Sequence, residues 1–118
     1  MTAVQQQDLV LASFPFSGAE GGKIRPAVII SRSEYNASSK DVLLCALTSN
    51  PEAKPFSLPV SRENLSEGAL ALKSRIRVDK IASVDKSRLI KKFARLDDRT
   101  FDALTGKLFD LVRRMQGK

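Results

Sequence analysis

No stretch of this chain stays apolar for long, and that rhythm restricts the fold more than any other feature. Short β-rich runs recur: Asp8-Leu9-Val10-Leu11-Ala12-Ser13-Phe14, then Ala27-Val28-Ile29-Ile30, Asp41-Val42-Leu43-Leu44-Cys45-Ala46-Leu47-Thr48 and Ser74-Arg75-Ile76-Arg77-Val78-Asp79-Lys80-Ile81. Each is closed by turn formers, as strands are and helices are not. Only the C-terminal segment changes period. Phe101, Leu104, Leu108, Leu111, Val112 and Met115 recur at helical spacing, with Asp97 or Asp98 as N-cap and Gly117 at the stop. Gly106 inside that stripe costs about 1 kcal/mol against alanine, which a stripe this wide outweighs. The stripe is expected to pack on the core. Five or six short strands followed by one late helix predict a mostly-β barrel with a C-terminal helix docked on it.

Between these runs the punctuation is specific. The first strand, 8–14, ends at the Pro15 turn, and a second covers about 25–31. Residues 32–40 read as a polar connection. The third strand, 41–48, is apolar on both faces, so it belongs inside a sheet, and Ser49-Asn50-Pro51 stops it. Two prolines in Lys54-Pro55-Phe56-Ser57-Leu58-Pro59-Val60 permit an edge strand at best. Residues 61–74 read as a connection around Gly68. The alternating strand from Ser74 is expected to run on to Val84, with a turn at Asp85-Lys86-Ser87. Periodicity alone leaves 89–96 open between helix and strand. A chain of 118 residues is expected to be one domain, 1–118.

Several functions are disfavoured by what the chain lacks. It has no histidine and one cysteine, Cys45. Ser-His and Cys-His catalysis are therefore out of reach, and a zinc site would have to be made of carboxylates. No metal or other cofactor is expected. One cysteine in an apolar run allows no internal disulfide and fits a reducing, cytoplasmic setting. No run approaches the roughly 20 apolar residues that span a bilayer, and no basic patch precedes the first apolar residues as an export signal requires.

The net charge of +7 is unevenly distributed. Residues 1–59 carry five basic and five acidic side chains; residues 60–118 carry fifteen and eight. Nine of the basic residues fall in 73–95, against Asp79 and Asp85. Such a concentration suits a nucleic acid or another polyanion. It also suits an acidic protein partner, and a solvated face that merely aids solubility.

Two short elements carry the candidate chemistry. In Ser17-Gly18-Ala19-Glu20-Gly21-Gly22-Lys23-Ile24-Arg25-Pro26 a glycine loop closes on a strand. Pro26 drives Arg25 into an extended conformation, so a permanently charged, multidentate donor sits at a strand mouth. It can hold a phosphate, or pair with a neighbour such as Glu20. A Walker loop is excluded, because Ser17 occupies its first glycine position and Ile24 follows Lys23. The second element is Leu47-Thr48-Ser49, hydroxyls at a strand end. They can serve a site, or simply start the turn through side-chain hydrogen bonds.

Taken together, Lys23-Ile24-Arg25-Pro26-Ala27-Val28-Ile29-Ile30-Ser31, Leu47-Thr48-Ser49 and the strand from Ser74 to Ile81 resemble the MazF/PemK family, toxins of prokaryotic toxin–antitoxin pairs. Phe14-Pro15-Phe16 and the helix start at Leu96-Asp97-Asp98 extend the likeness over nearly the whole chain. The resemblance implies an SH3-like barrel of the MazF/CcdB type, with 89–96 as a strand, assembled as a homodimer. It implies a metal-independent endoribonuclease that cuts single-stranded RNA at a short sequence, leaving a 2′,3′-cyclic phosphate and a 5′-hydroxyl. Its partner would be an acidic antitoxin. The family's catalytic arginine, threonine and loop acid fall on Arg25, Thr48 and Glu20. Lys23, Ser49, Ser74, Arg75, Arg77 and Lys80 are the expected RNA contacts. Two positions depart: Gln7 stands where many members carry glycine, and Ala19 where a small hydroxyl residue is frequent. Non-enzymatic alternatives are a CcdB-like topoisomerase inhibitor and an RNA-binding module.

Overall fold

Period-2 alternation in the strands sends apolar side chains to both faces of one antiparallel sheet. The structure is a computed structural model, and it describes residues 3–14 and 23–117. Among the described residues seven strands pair in the order β4-β6-β3-β2-β1-β7-β5. They are β1 (Asp8–Phe14), β2 (Lys23–Ile29), β3 (Asp41–Thr48), β4 (Ser57–Val60), β5 (Leu65–Gly68), β6 (Ser74–Asp85) and β7 (Leu89–Leu96). The ambiguous segment 89–96 is thus a strand, and the proline-bearing β4 lies at the sheet edge. One face gathers Val10, Ala12, Ala27, Ile29 and Leu44; the other gathers Leu9, Val28, Cys45, Leu47 and Leu96 under Phe101 and Leu104 of the C-terminal helix. This mostly-β architecture with a terminal helix matches the expected class.

The long strand β6 is not regular. Cys45 pairs with Ile81 and Leu47 with Ile76, so Ala46 alone faces residues 77–80. A slip of an odd number of residues turns every later side chain to the opposite face. Accordingly Ile76 and Val78 pack in one apolar cluster while Ala82 and Val84, of the same parity, pack in the other. Arg77, Asp79 and Lys80 of this bulge line the cleft described below.

Three expectations are corrected, and one, the turn at 85–87, is borne out and refined. Within the supposed connection 32–40, Ser33–Ser38 form a short helix, α1, anchored by the buried Asn36, whose Nδ2 donates to the Ser31 carbonyl at 3.0 Å. The connection 61–74 contains β5, an edge strand defined only by its pairing with β7. Gly68 there has φ +83°, and a Cβ would stand 2.3 Å from the Phe93 carbonyl oxygen, so only glycine fits. Third, the turn at 85–87 is a 3₁₀ turn over Lys86–Arg88, capped by Asp85, whose carboxylate accepts from the Ser87 amide. Last, the terminal helix, α2 (Asp98–Val112), is capped by Asp97, which accepts from the Thr100 amide at 2.7 Å, but it stops five residues before Gly117. Only the first half of its apolar stripe is covered; Phe109, Val112 and Met115 are 63%, 68% and 71% exposed.

The strand ends are tied by two N-terminal residues. Gln7 adopts φ +81°, a conformation that explains why a glycine is suitable at this position. Its side-chain amide compensates by donating to the Leu96 carbonyl at 2.9 Å and to Asp98 Oδ1 at 3.1 Å. Asp8 is 1% exposed; it accepts from the Gln5 amide at 2.9 Å and pairs with Arg95 at 3.1 Å and Lys92 at 3.3 Å. Two cations of the basic 73–95 stretch thus hold the fold together. Among the described residues no helix is long and apolar enough to cross a membrane.

Candidate active site

The β2–β3 ladder ends at the pair Ala27–Ala46. Two residues beyond that pair on each strand, sharing the parity of Ala27 and Ala46, are Arg25 and Thr48, and both line one cleft. Beyond the last pair the strands border a cleft of about 650 Å³. Arg25, Thr48, Lys23, Arg77, Asp79 and Lys80 supply its polar lining, and Phe14, Ala46, Leu47 and Ile81 the apolar remainder.

Within the cleft the cations differ in availability. Arg25 is half-buried, and its guanidinium makes no hydrogen bond or ion pair to another described residue. Proline at 26 keeps β2 extended there, and the opposite neighbour on β1 is the small Ala12, so the guanidinium has room to meet a ligand. The Lys23 and Lys80 side chains are exposed and form no salt bridge with a described residue, Lys80 acting on Asp79 only through its charge. Arg77 is committed: its Nε and Nη2 donate to the two carboxylate oxygens of Asp79, each at 3.1 Å. That fork holds the Asp79 carboxyl below the ordinary carboxylate range and raises the Arg77 pKa further. Behind the cleft, burial, reinforced by the Asp79 charge, pushes the Cys45 thiol up to about 12. Cys45 is a packed apolar group, not a nucleophile.

Thr48 shows that the two readings of its hydroxyl are compatible. Its Oγ1 accepts from the Asn50 amide at 3.2 Å, as a turn-starting residue does. An acceptor role leaves the O–H proton free, so the same atom can donate into the cleft.

The remaining candidates are placed differently. Arg75 pairs across from Thr48, but its guanidinium is turned to Ser57, with Nε donating to Oγ at 2.9 Å and Nη2 to the carbonyl at 3.4 Å. Ser49 is exposed on the turn beyond Thr48 and does not line the cleft. Ser74 is not brought to the cleft: it is buried beside Val60 and donates to the Leu72 carbonyl at 3.0 Å. Strand alternation is the reason, since position 74 points away from 75 and 77. Glu20 lies outside the described residues. Asp79 and the apolar lining escaped sequence reasoning, although Arg77-Val78-Asp79 carries the i, i+2 spacing that sets two strand side chains on one face.

A matching pattern exists among known proteins. The profile of PemK-like, MazF-like toxins of type II toxin–antitoxin systems matches residues 5–112. The chain belongs to this family. The endoribonuclease MazF of Staphylococcus saprophyticus is 33% identical over 97 residues, covering 81% of this chain and 80% of that protein. The crystal structure of MazF from Deinococcus radiodurans superposes with a TM-score of 0.77 at 25% identity, over 95% of this chain and 98% of that one. A mycobacterial endoribonuclease in complex with its cognate antitoxin has the same fold, with a TM-score of 0.76 at 16% identity over 96% and 99% of the two chains.

Proposed function

We propose that this toxin is a metal-independent endoribonuclease that cuts single-stranded RNA at the Arg25–Thr48 cleft. The observation that carries the reading is an unpaired guanidinium and a hydroxyl with a free proton lining one cleft, two residues beyond the last β2–β3 pair. The ribose 2′-oxygen attacks the adjacent phosphorus, forming a 2′-O–P bond as the 5′-O–P bond breaks. Negative charge grows on the non-bridging oxygens, where Arg25 donates bidentately and Thr48 adds a third hydrogen bond. Removing one such preorganised donor typically lowers the rate about 10²–10³-fold. Arg25, a permanently charged donor, stabilises that charge, and the departing 5′-oxygen takes its proton from water. Glu20 takes the 2′-hydroxyl proton. The products are a 2′,3′-cyclic phosphate and a 5′-hydroxyl, and DNA, lacking the nucleophile, is inert.

Lys23 and Lys80 hold flanking phosphates, with Ser49 and Arg75 at the margin and Arg77 acting through Asp79. Ser74, buried elsewhere, has no place in the RNA path. The same basic cleft accepts an acidic antitoxin segment, which blocks RNA by occupying its phosphate sites. The protein acts in the cytoplasm as a homodimer; the uncovered apolar end of α2 at Phe109 and Val112, with Met115 just beyond it, supports self-association. The test is cleavage of a long unstructured RNA in EDTA. Cleavage that disappears in Arg25→Ala supports the reading. Intact RNA with the folded wild type, or cleavage that survives Arg25→Ala, overturns it.

A further inference from the structure

The cleft is too large and too apolar for a phosphate alone. Its volume of about 650 Å³ is that of a site for a whole small ligand. Phosphate binding accounts for Arg25, Lys23 and Lys80, cations that line the cleft without a salt bridge to a described residue. It leaves unexplained a carboxylate, Asp79, whose charge repels any phosphate bound there. Arg77 neutralises that charge and fixes both carboxylate oxygens with two 3.1 Å bonds. The result is a rigid hydrogen-bonding plate with little net charge beside the apolar Ala46 and Ile81. Such a combination suits a nucleobase, which offers a π-face to apolar side chains and a polar edge to a fixed acceptor.

The β6 bulge aims this plate. Residues 77–80 occupy the space opposite Ala46 alone, so Asp79 sits in the extra chain and belongs to no β3 pair. Bulges beside active sites commonly redirect a side chain in this way. A proton-accepting role for Asp79 is disfavoured by Arg77, which stabilises the ionised carboxylate and weakens it as a base. An ionised carboxylate only accepts hydrogen bonds.

Resting on the ribonuclease reading, we propose that Asp79 is a specificity-determining residue. Held by Arg77, it accepts a hydrogen bond from an amino or imino group of a base adjacent to the cut. Bases that present a donor to that spot are selected; those that present a carbonyl are rejected, because two acceptors then meet.

The experiment is cleavage of a randomised single-stranded RNA pool by wild type, Asp79→Asn and Asp79→Ser, with the new 5′-hydroxyl ends mapped by sequencing. Thermal melts identify which variants are folded, and the exposed position of Asp79 makes both tolerable. Wild type is expected to show, at one position beside the cut, a preference that both variants reduce by about tenfold or more, while preferences elsewhere persist. An identical preference at every position in the folded variants, with or without a uniform loss of rate, overturns the inference and leaves the ribonuclease reading intact. If the folded wild type cuts no RNA, the ribonuclease reading itself fails and takes this inference with it.

Discussion

Asp8→Asn tests whether part of the basic stretch serves the fold and not a ligand. The carboxylate is 1% exposed and receives the Gln5 amide, Arg95 and Lys92. Removing one partner of a fully buried pair destabilises by about 3–5 kcal/mol. Here the cationic side chains retain 26% and 32% exposure and can rehydrate in part. That relief lowers the expected loss to about 2 kcal/mol, since asparagine preserves the shape and one acceptor but turns an amide donor toward two cations. For 118 residues the unfolding entropy is about 0.25 kcal/mol/K, so Tm should fall by about 8 °C. Thermal unfolding followed by circular dichroism, with a urea titration for ΔG, measures both quantities. A Tm within 2 °C of wild type would refute the idea that Asp8 organises these cations.

Three other outcomes follow from named contacts. Lys23→Ala and Lys80→Ala should each reduce the slope of log K against log salt for single-stranded RNA by about 0.7, whereas Lys92→Ala, engaged with Asp8 and Glu67, should leave the slope unchanged; fluorescence anisotropy across a salt series reads this. Gly68→Ala should destabilise by about 2–4 kcal/mol, because the methyl meets backbone at 2.3 Å and φ is +83°, and hydrogen exchange should show β5 released first. Cys45, its thiol at about 12 and buried, should be silent to a thiol reagent at pH 8 in the native state and react fully in denaturant.

The strands with their own apolar pattern were legible residue by residue. β1, β3 and β6 stand where alternation and turn formers put them, and Asp97 caps α2 as the N-terminal signal indicates. What escaped was structure defined by distant partners. α1 is six residues long and depends on Asn36 reaching Ser31, while β5 has no pattern apart from its pairing with β7. The β6 bulge cannot be read from spacing, since Ile76, Val78, Ala82 and Val84 share one parity and yet occupy two clusters. The site was partly visible: Pro26 marks Arg25 locally, but that Thr48 lines the same cleft follows from the neighbouring placement of β2 and β3 in the sheet. Counting basic residues in 73–95 overstated the binding surface, because Arg95, Lys92 and Arg77 each satisfy a carboxylate of the fold or the bulge.

Single-turnover cleavage of one RNA in EDTA by wild type, Arg25→Ala, Thr48→Val and the double variant measures the central claim most directly. Two donors acting on one phosphoryl group predict a loss of about 10²–10³-fold for Arg25→Ala, a smaller loss for Thr48→Val, and a double variant well short of the product of the two. Cleavage by the folded Arg25→Ala protein at the wild-type rate would contradict the account.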